Sequence, residues 1–317
     1  MSQITGVGTS WNLPNYAGEL FTASPKKTPF LSSIGGLTGG KTSNSFEFVT
    51  GQEYTLPVAK QPEISETDSL TAPQASHITR EQKTNTCQIF HESIDLSYAK
   101  LSQTGKLNGL NLSGQNANPA SEEDWQVNQK LVVMAQQVEY SFINGKYQKA
   151  TDADTPAKTR GIFDLVKDVT TIDAQAAEIS KALLDAFFLE LVKNGAPWDN
   201  MQMHVNATLK QKITNLYADQ FKAQMAMSEK KAGMNVVTIE TDFGLIDIVL
   251  NTFVPDKSLC VIDIAHCALV FCPVPGKGVL FKEDLAKTGA DNKKQIYGQI
   301  GLDHGMDFMH GAITNLK

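Results

Sequence analysis

Residues 121–149 read SEEDWQVNQKLVVMAQQVEYSFINGKYQK and have a long helical pattern. Apolar side chains recur every three or four residues, which is typical of an amphipathic helix with one buried face. They are Trp125, Val132, Ala135, Val138 and Phe142. Ser121 and Asp124 fit an S-x-x-D capping motif at the start, and Asn144-Gly145 predicts an end or a kink. At 1.5 Å per residue the helix would be about 40 Å long. We therefore predict a helix that spans most of the body, since a globule of this length has a radius of gyration of roughly 20 Å.

The chain before this helix is poor in apolar residues. Residues 1–120 contain 39 of them, or 33%, whereas residues 121–317 contain 92, or 47%. The first segment is not of low complexity, because aromatic residues recur throughout it. A segment with so little apolar mass cannot form a core of its own. We therefore expect it to be buried against other parts of the assembly, including neighbouring subunits.

Two strand patterns lie within this apolar-poor region. Residues 44–56 read as a strand with Phe46 and Phe48 on one face. Residues 87–98 alternate clearly. Their apolar face holds Phe90, Glu92, Ile94, Leu96 and Tyr98. The polar segment 58–76 separates the two patterns, so we predict a long two-stranded excursion with a mobile tip. Since an isolated hairpin is marginally stable in water, this one needs a surface on which to lie.

Helices and strands alternate after residue 149. Asp173 is predicted to cap a helix over residues 174–193 that ends at Asn194-Gly195, and Asn206 to cap another after a short strand at Met201–Val205. The apolar residues of this last helix are Leu209, Ile213, Leu216 and Tyr217. Further strands are predicted at residues 235–240, 244–253, 259–271 and 296–310. The face of the last strand would hold Ile296, Ile300, Leu302, Met306 and Phe308. The order predicts a mixed α+β body and not a run of regular βαβ units.

Charge and cysteine content exclude several classes of protein. The 317 residues include 28 Lys and Arg and 34 Asp and Glu, so the net charge is −6. This charge does not favour a surface that wraps nucleic acid. Four Cys do not make a disulfide scaffold. The longest uncharged apolar stretch, residues 264–276, is too short to span a bilayer, and the first residues lack an export signal. We expect no membrane association, and folding in a reducing cytoplasm.

The run GGLTGGKT at residues 35–42 matches the G-x-x-x-x-G-K-[ST] pattern of phosphate-binding loops. Leu259 to Asp263 would supply an apolar strand that ends in a Mg²⁺-binding Asp. Such a loop requires a helix directly after it, whose N-terminus binds the phosphate. Residues 43–48 look instead like a strand. We therefore interpret the run as a flexible bend, and keep a P-loop nucleotide-binding enzyme as an alternative.

The remaining motifs predict no catalytic, cofactor or metal site. His304 and His310 would share a face of the last strand, but at about 3.3 Å per residue they would lie ~20 Å apart. The Cys residues lack C-x-x-C spacing, and no G-x-S-x-G motif occurs. Buried thiols and packed imidazoles are the simpler interpretation. We predict that the chain is not an enzyme, with no cofactor.

Three further stretches resemble one family. The first is Asn15 to Phe21 with Ser24-Pro25, Thr28 to Leu31 and Ile34 to Gly36; the second is Asn85 to Phe90; the third is Leu285 to Gly289, followed by Asn292 to Ile296 and the closing strands. In this order and spacing they resemble a major capsid protein of tailed bacteriophages with the Hong Kong 97-type fold. The matches extend over nearly the whole chain.

The resemblance implies a domain layout. Residues 1–43 would form an N-terminal arm and residues 44–100 the E-loop hairpin, which lies across the adjacent subunit. Residues 101–173, with the spine helix at 121–149, would belong to the P-domain, to which residues 276–317 return as strands. Residues 174–275 would form the A-domain, at the five- and six-fold axes.

The resemblance also implies a structural function in a virion. The chain would self-assemble into hexamers and pentamers of an icosahedral capsid that encloses double-stranded DNA without reading its sequence. Further expected partners are a separate scaffolding protein, a portal at one vertex and a decoration protein, with assembly in the host cytoplasm. An encapsulin-like compartment shell is the alternative with the same fold.

Aromatic residues of the apolar-poor region are the candidates for contacts between subunits. Ordinary packing within one chain is the competing interpretation for each of them. The candidates are Trp11, Tyr16, Phe21 and Phe30 in the arm, and Phe46, Phe48, Tyr54 and Phe90 in the hairpin.

Overall fold

The computed structural model describes residues 27–54, 59–72, 77–102, 122–222 and 237–317. The helices in these ranges are α1 (Pro29–Ser33), α2 (Glu66–Ser69), α3 (Tyr98–Ser102), α4 (Glu122–Asn144), α5 (Ile162–Val166), α6 (Lys181–Lys193) and α7 (Ala207–Lys222). The strands are β1 (Lys41–Thr42), β2 (Glu47–Tyr54), β3 (Arg80–Thr86), β4 (Gln88–Ser97), β5 (Thr171–Asp173), β6 (Met201–Val205), β7 (Thr238–Thr241), β8 (Gly244–Leu250), β9 (Leu259–Asp263), β10 (Ala268–Phe271), β11 (Leu280–Asp284), β12 (Asp291–Asp303) and β13 (Gly311–Thr314). They form a five-stranded sheet, a six-stranded sheet and a two-stranded hairpin.

Helix α4 is the predicted long helix, but it is shorter than residues 121–149. It ends at Asn144, and the next position admits only glycine, since a Cβ at Gly145 would lie 2.3 Å from the carbonyl oxygen of Ser141. Its 23 residues give a length of about 35 Å. Val138 and Phe142 are buried as expected, whereas Val132 is half exposed, so its assignment to the buried face is wrong.

The five-stranded sheet is built around the long strand β12. One edge of β12 pairs with β4 in antiparallel register, from Asp291 opposite Ser97 to Ile300 opposite Gln88. The other edge pairs with β10 and β11, and β1 extends β10 in parallel. The predicted alternation in β4 is confirmed for Phe90, Ile94 and Leu96, which are buried in the same core as the inner face of α4. Tyr98 is 44% exposed and begins α3, so its assignment to the strand is wrong.

The six-stranded sheet has the order β5-β13-β9-β6-β8-β7 and packs on α6 and α7 in a second core. Asn206 caps α7 as predicted, because its Oδ1 accepts a hydrogen bond from the Leu209 N–H at 2.8 Å. The predicted start of α6 is wrong. Ser180 caps this helix, and Asp173 lies in β5 opposite Thr314. Within the described ranges, no helix is both long and apolar enough to cross a membrane.

Two of the predicted strands end early, and after each break the chain enters the other sheet. Residues 259–271 break at a 3₁₀ turn, Ile264–His266, so β9 joins the six-stranded sheet and β10 the five-stranded one. Residues 296–310 break at Gly305, whose φ of +63° is strained for any residue with a side chain. The chain passes between the two sheets at these two points and also between β4 and β5, and these passages tie the two halves of the body together.

Candidate assembly surface

β2 and β3 form a two-stranded hairpin whose strands pair with neither of the two larger sheets. β2 pairs with β3, from Glu47 opposite Thr86 to Tyr54 opposite Arg80. The prediction that residues 87–98 form the return strand is therefore wrong, because β4 belongs to the five-stranded sheet. Only Cys87 separates β3 from β4, so the hairpin continues the line of a body strand.

A buried hydrogen-bond network holds the base of the hairpin. The Asn85 amide is fully buried and donates to the Leu302 carbonyl oxygen at 2.8 Å. Its Oδ1 accepts from the Arg160 N–H, also at 2.8 Å. Ion pairs at the surface join Lys149 to Glu47 and Lys83 to Asp307. Because buried amides with all partners in place fix local geometry, the base sets the direction in which the hairpin projects.

The distal part of the hairpin has no packing partner within the described chain. All the residues at 59–72 and 77–82 are exposed. Ile64, Leu70 and Ile78 are 70%, 84% and 54% exposed, and Tyr54 is 58% exposed. Apolar side chains grouped on a projecting element mark a surface for interaction, since they lose water contact only when a partner covers them.

The structure describes five of the eight predicted contact residues, and they differ in burial. Phe30 and Phe90 are 0% and 3% exposed, so both pack inside their own chain and are not available to another subunit. Phe48 is half buried beside Cys87 and the backbone of Gly301, whereas Phe46 and Tyr54 are exposed. Trp11, Tyr16 and Phe21 lie outside the described residues.

The sequence prediction missed the aliphatic residues of the tip. It treated residues 58–76 as a polar spacer, although Ile64 and Leu70 stand within it. A short helix, α2, separates these two residues, and Ser65 and Asp68 form a capping box at its start. The sequence does carry an indication of this surface: two isolated apolar residues flank a helix-capping motif in a segment that has no apolar periodicity.

The glycine-rich run at residues 35–42 does not form a phosphate-binding loop. Gly35 and Gly36 have φ of +103° and +66°, and the run ends in strand β1 at the point where such a site needs the start of a helix. The Lys41 ammonium instead pairs with the Asp303 carboxylate at 2.6 Å. The run turns the chain onto the edge of β10.

We expect Lys41→Ala to leave nucleotide binding unchanged, with flat titrations of Mg²⁺-ATP for both the wild-type chain and the variant. The unfolding free energy should fall by about 1 kcal/mol or less, because the Lys41 side chain is two-thirds exposed and screened. Mg²⁺-dependent binding that Lys41→Ala abolishes would contradict this interpretation. Isothermal calorimetry measures the first effect and urea denaturation the second.

The four Cys residues and three of the His residues are buried in the body of the chain. All four thiols are free and buried, and burial raises the pKa of Cys87 to about 12. The prediction that His304 and His310 lie far apart on one strand is wrong, since the His310 Nε2–H donates to the His304 carbonyl oxygen at 2.6 Å. Among the residues that the structure describes, no group of three or more His, Cys, Asp or Glu could hold a metal ion.

His204 is a buried imidazole for which the described residues offer no hydrogen-bond partner at either ring nitrogen. Burial lowers its pKa to about 3, so the ring is neutral near pH 7. We expect His204→Leu to raise the unfolding free energy by about 1 kcal/mol, since it removes unpaired polar atoms at nearly constant volume. His77→Leu, at an exposed position, is the control and should cause no change. A loss of stability in His204→Leu, measured by urea denaturation, would contradict this assignment.

Comparisons with known proteins agree with this architecture. The sequence profile of the SU10 major capsid protein family matches residues 3–317. The capsid protein of cyanophage A-1(L) has a TM-score of 0.68 at 10% identity over 99% of both chains. The capsid protein of the native GTA particle has a TM-score of 0.62 at 12% identity over 98% of both chains. The SrpI encapsulin of Synechococcus elongatus PCC 7942 has a TM-score of 0.54 at 9% identity over 93% of both chains. No curated protein matches the chain in sequence.

At these identities the solved structures show the fold alone, which is the Hong Kong 97-type capsid fold. The encapsulin shares that fold, so structure does not separate a compartment shell from a phage capsid. The family profile does separate them, because it matches the sequence over nearly its full length. The chain belongs to the SU10 major capsid protein family.

Proposed function

We propose that this major capsid protein assembles into hexamers and pentamers, which close into an icosahedral shell around double-stranded DNA. The observation that carries the proposal is the exposure of the apolar residues Tyr54, Ile64, Leu70 and Ile78 in the described part of the distal hairpin. Among the described residues of one subunit, no core covers these side chains. A neighbouring copy that covers them would supply the missing burial, and many such contacts would make a closed assembly strong.

The proposed layout keeps the expected domains, with both ends of the E-loop and the end of the A-domain moved. The pairing of β4 with β12 supports an E-loop confined to residues 47–86, with β4 in the P-domain. The pairing of β10 with β12 supports an A-domain that ends near residue 263. α4 and the five-stranded sheet would then form the P-domain, and the six-stranded sheet with α6 and α7 would form most of the A-domain.

The interior of the shell would hold DNA by confinement and not by a basic surface. The net charge of −6 supports this, because a strongly basic wall would bind the phosphates tightly and oppose ejection. Four free thiols support assembly in a reducing compartment, the host cytoplasm. By analogy with the fold, a scaffolding protein, a portal and a decoration protein would be the further partners.

Electron microscopy with light scattering on the purified chain tests the proposal. We expect closed shells, or rings of five and six subunits, with masses in the megadalton range. If the chain expressed alone is a monomer of 34.6 kDa, it is co-expressed with the genes next to its own, since a scaffold would be encoded there. A persistent monomer under both conditions would contradict the proposal. DNA that is resistant to nuclease in particles from infected cells tests the cargo.

A further inference from the structure

The arm, the spine helix and the six-stranded sheet meet at one buried carboxylate. Glu139 lies on α4 and is fully buried. Its two oxygens accept hydrogen bonds from the Phe30 N–H at 3.0 Å and the Leu31 N–H at 2.7 Å, both in α1. Oε1 also accepts from the Asn251 side-chain amide at 2.6 Å, directly after β8. One side chain thus joins three elements that are far apart in the sequence.

The Phe30 ring reinforces this junction through apolar contacts. It is fully buried, with its centroid 6.4 Å from that of Phe142 on α4 and 5.6 Å from that of His204 on β6. Both contacts are edge to face, the arrangement that aromatic pairs prefer. The Ser33 hydroxyl oxygen also lies 3.2 Å from the Gln202 Oε1, which adds a second contact between α1 and β6. Phe30 therefore lies between the helix and the six-stranded sheet.

The sheet side of the junction is itself held in place. Asn251 is fully buried, and its backbone N–H donates to the Val205 carbonyl oxygen at 2.8 Å. Its Oδ1 accepts from the Phe253 N–H, and the Phe253 carbonyl oxygen accepts from the Asn144 amide at the end of α4. The helix therefore reaches the loop after β8 at Glu139 and again at Asn144.

We propose that Phe30, Leu31, Glu139 and Asn251 form a clasp that fixes the angle between α4 and the six-stranded sheet, and that this angle sets the curvature of the shell. The inference rests on the proposed assembly. Identical subunits in hexamers and pentamers must meet their neighbours at different angles. The curvature of the shell therefore depends on how far the angle between α4 and the six-stranded sheet can change. Packed interfaces change between discrete arrangements and do not deform continuously. Without the clasp, other angles between α4 and the six-stranded sheet therefore become accessible.

Glu139→Gln tests the clasp at constant size. The amide keeps one acceptor oxygen but turns an NH₂ group toward a donor, so the variant breaks part of the junction and fills the same space. The control is Phe188→Leu in the second core, chosen so that both variants have the same midpoint of urea denaturation. We expect the clasp variant to form shells with a broader range of diameters, or none, while the control forms wild-type shells. Wild-type diameters in Glu139→Gln, or equal broadening in the control, would overturn the inference.

A distance measurement tests the joint without assembly. Spin labels at Val133→Cys on α4 and Glu190→Cys on α6 report the angle, and both sites are exposed whereas the native thiols are buried. We expect a distance distribution at least twofold wider for Glu139→Gln than for the wild-type chain. An unchanged distribution would overturn the inference. Failure of the wild-type chain to form shells would count against the proposed function alone, because the label distances still decide the clasp.

Discussion

We expect the free energy of unfolding of the Glu139→Ala variant to be about 3 kcal/mol lower than that of the wild-type chain. The substitution leaves three buried donors without an acceptor: the N–H groups of Phe30 and Leu31 and the amide of Asn251. Each unpaired buried donor costs about 1–3 kcal/mol, and water that enters the vacated space recovers part of the sum. Urea denaturation of the unassembled chain, followed by circular dichroism, measures the loss.

Two variants control this prediction. Glu190→Ala removes a carboxylate of the same type from an exposed position on α6, and the change in unfolding free energy should stay within about 0.5 kcal/mol. Glu139→Gln retains one acceptor oxygen, so its free energy of unfolding should lie between those of the wild-type chain and Glu139→Ala. A loss below 1 kcal/mol in Glu139→Ala would show that the three donors find other partners at little cost.

The same carboxylate predicts a dependence of stability on pH. Burial raises the pKa of Glu139 above its ordinary value of 4.5, although its three hydrogen bonds oppose that shift. The folded chain then binds a proton more tightly than the unfolded chain, so unfolding free energy is lost as the pH rises from about 4.5 through the raised pKa. Glu139→Gln lacks this proton. The stability of the wild-type chain relative to Glu139→Gln should therefore decrease over that interval, and a constant difference would contradict the shift.

The elements of the body were predictable because local chemistry determines them. Helical periodicity located α4, and the Asn206 side chain caps α7 as its position before an apolar helix suggests. Even Glu139 stands on the buried face by its spacing, one residue after Val138 and three before Phe142. Its partners were not predictable, since Phe30 and Asn251 are each more than 100 residues away along the chain.

Strand pairing was the main error, because alternation shows that a segment is a strand without showing its partner. β4 alternates as well as any strand here, yet it pairs with β12 and not with β2. Two crossings between the sheets, at Ile264–His266 and at Gly305, were hidden for a similar reason. Each breaks a segment whose apolar pattern continues on both sides.

The contact surface was only partly predictable from residue type. Aromatic content selected Phe30 and Phe90 together with Phe46 and Tyr54, but exposure separates the first two from the others. Burial depends on which elements cover a residue, and that is a tertiary property. Ile64 and Leu70 were missed for a different reason. Both are exposed apolar residues, but they lie in a polar segment, so the sequence pattern did not single them out.

Shortening the hairpin should abolish shell formation and leave the subunit folded. Tyr54 and Arg80 are register partners, so replacing residues 55–79 by Asn-Gly closes β2 and β3 with a two-residue turn. The described residues among those removed are all exposed, which leaves both cores untouched. The unfolding free energy should change by about 1 kcal/mol or less, as for other surface changes. Electron microscopy should show subunits or isolated rings, and normal shells would contradict the role of the tip.

A double substitution isolates the apolar contribution to the same contact. Ile64→Ser with Leu70→Ser keeps the length of the hairpin and removes two aliphatic side chains, each of which contributes about 1.5–3 kcal/mol when fully buried. Partial burial in the assembly would give a loss of about 2–3 kcal/mol per subunit, and each 1.4 kcal/mol is a tenfold change in an equilibrium constant. We therefore expect the lowest concentration that yields shells to rise about 30- to 140-fold. Leu189→Ser, at a 43% exposed position on α6, is the matched control and should leave this concentration unchanged. An unchanged concentration in the double variant, measured by light scattering, would mean that the tip stays uncovered in the assembled shell.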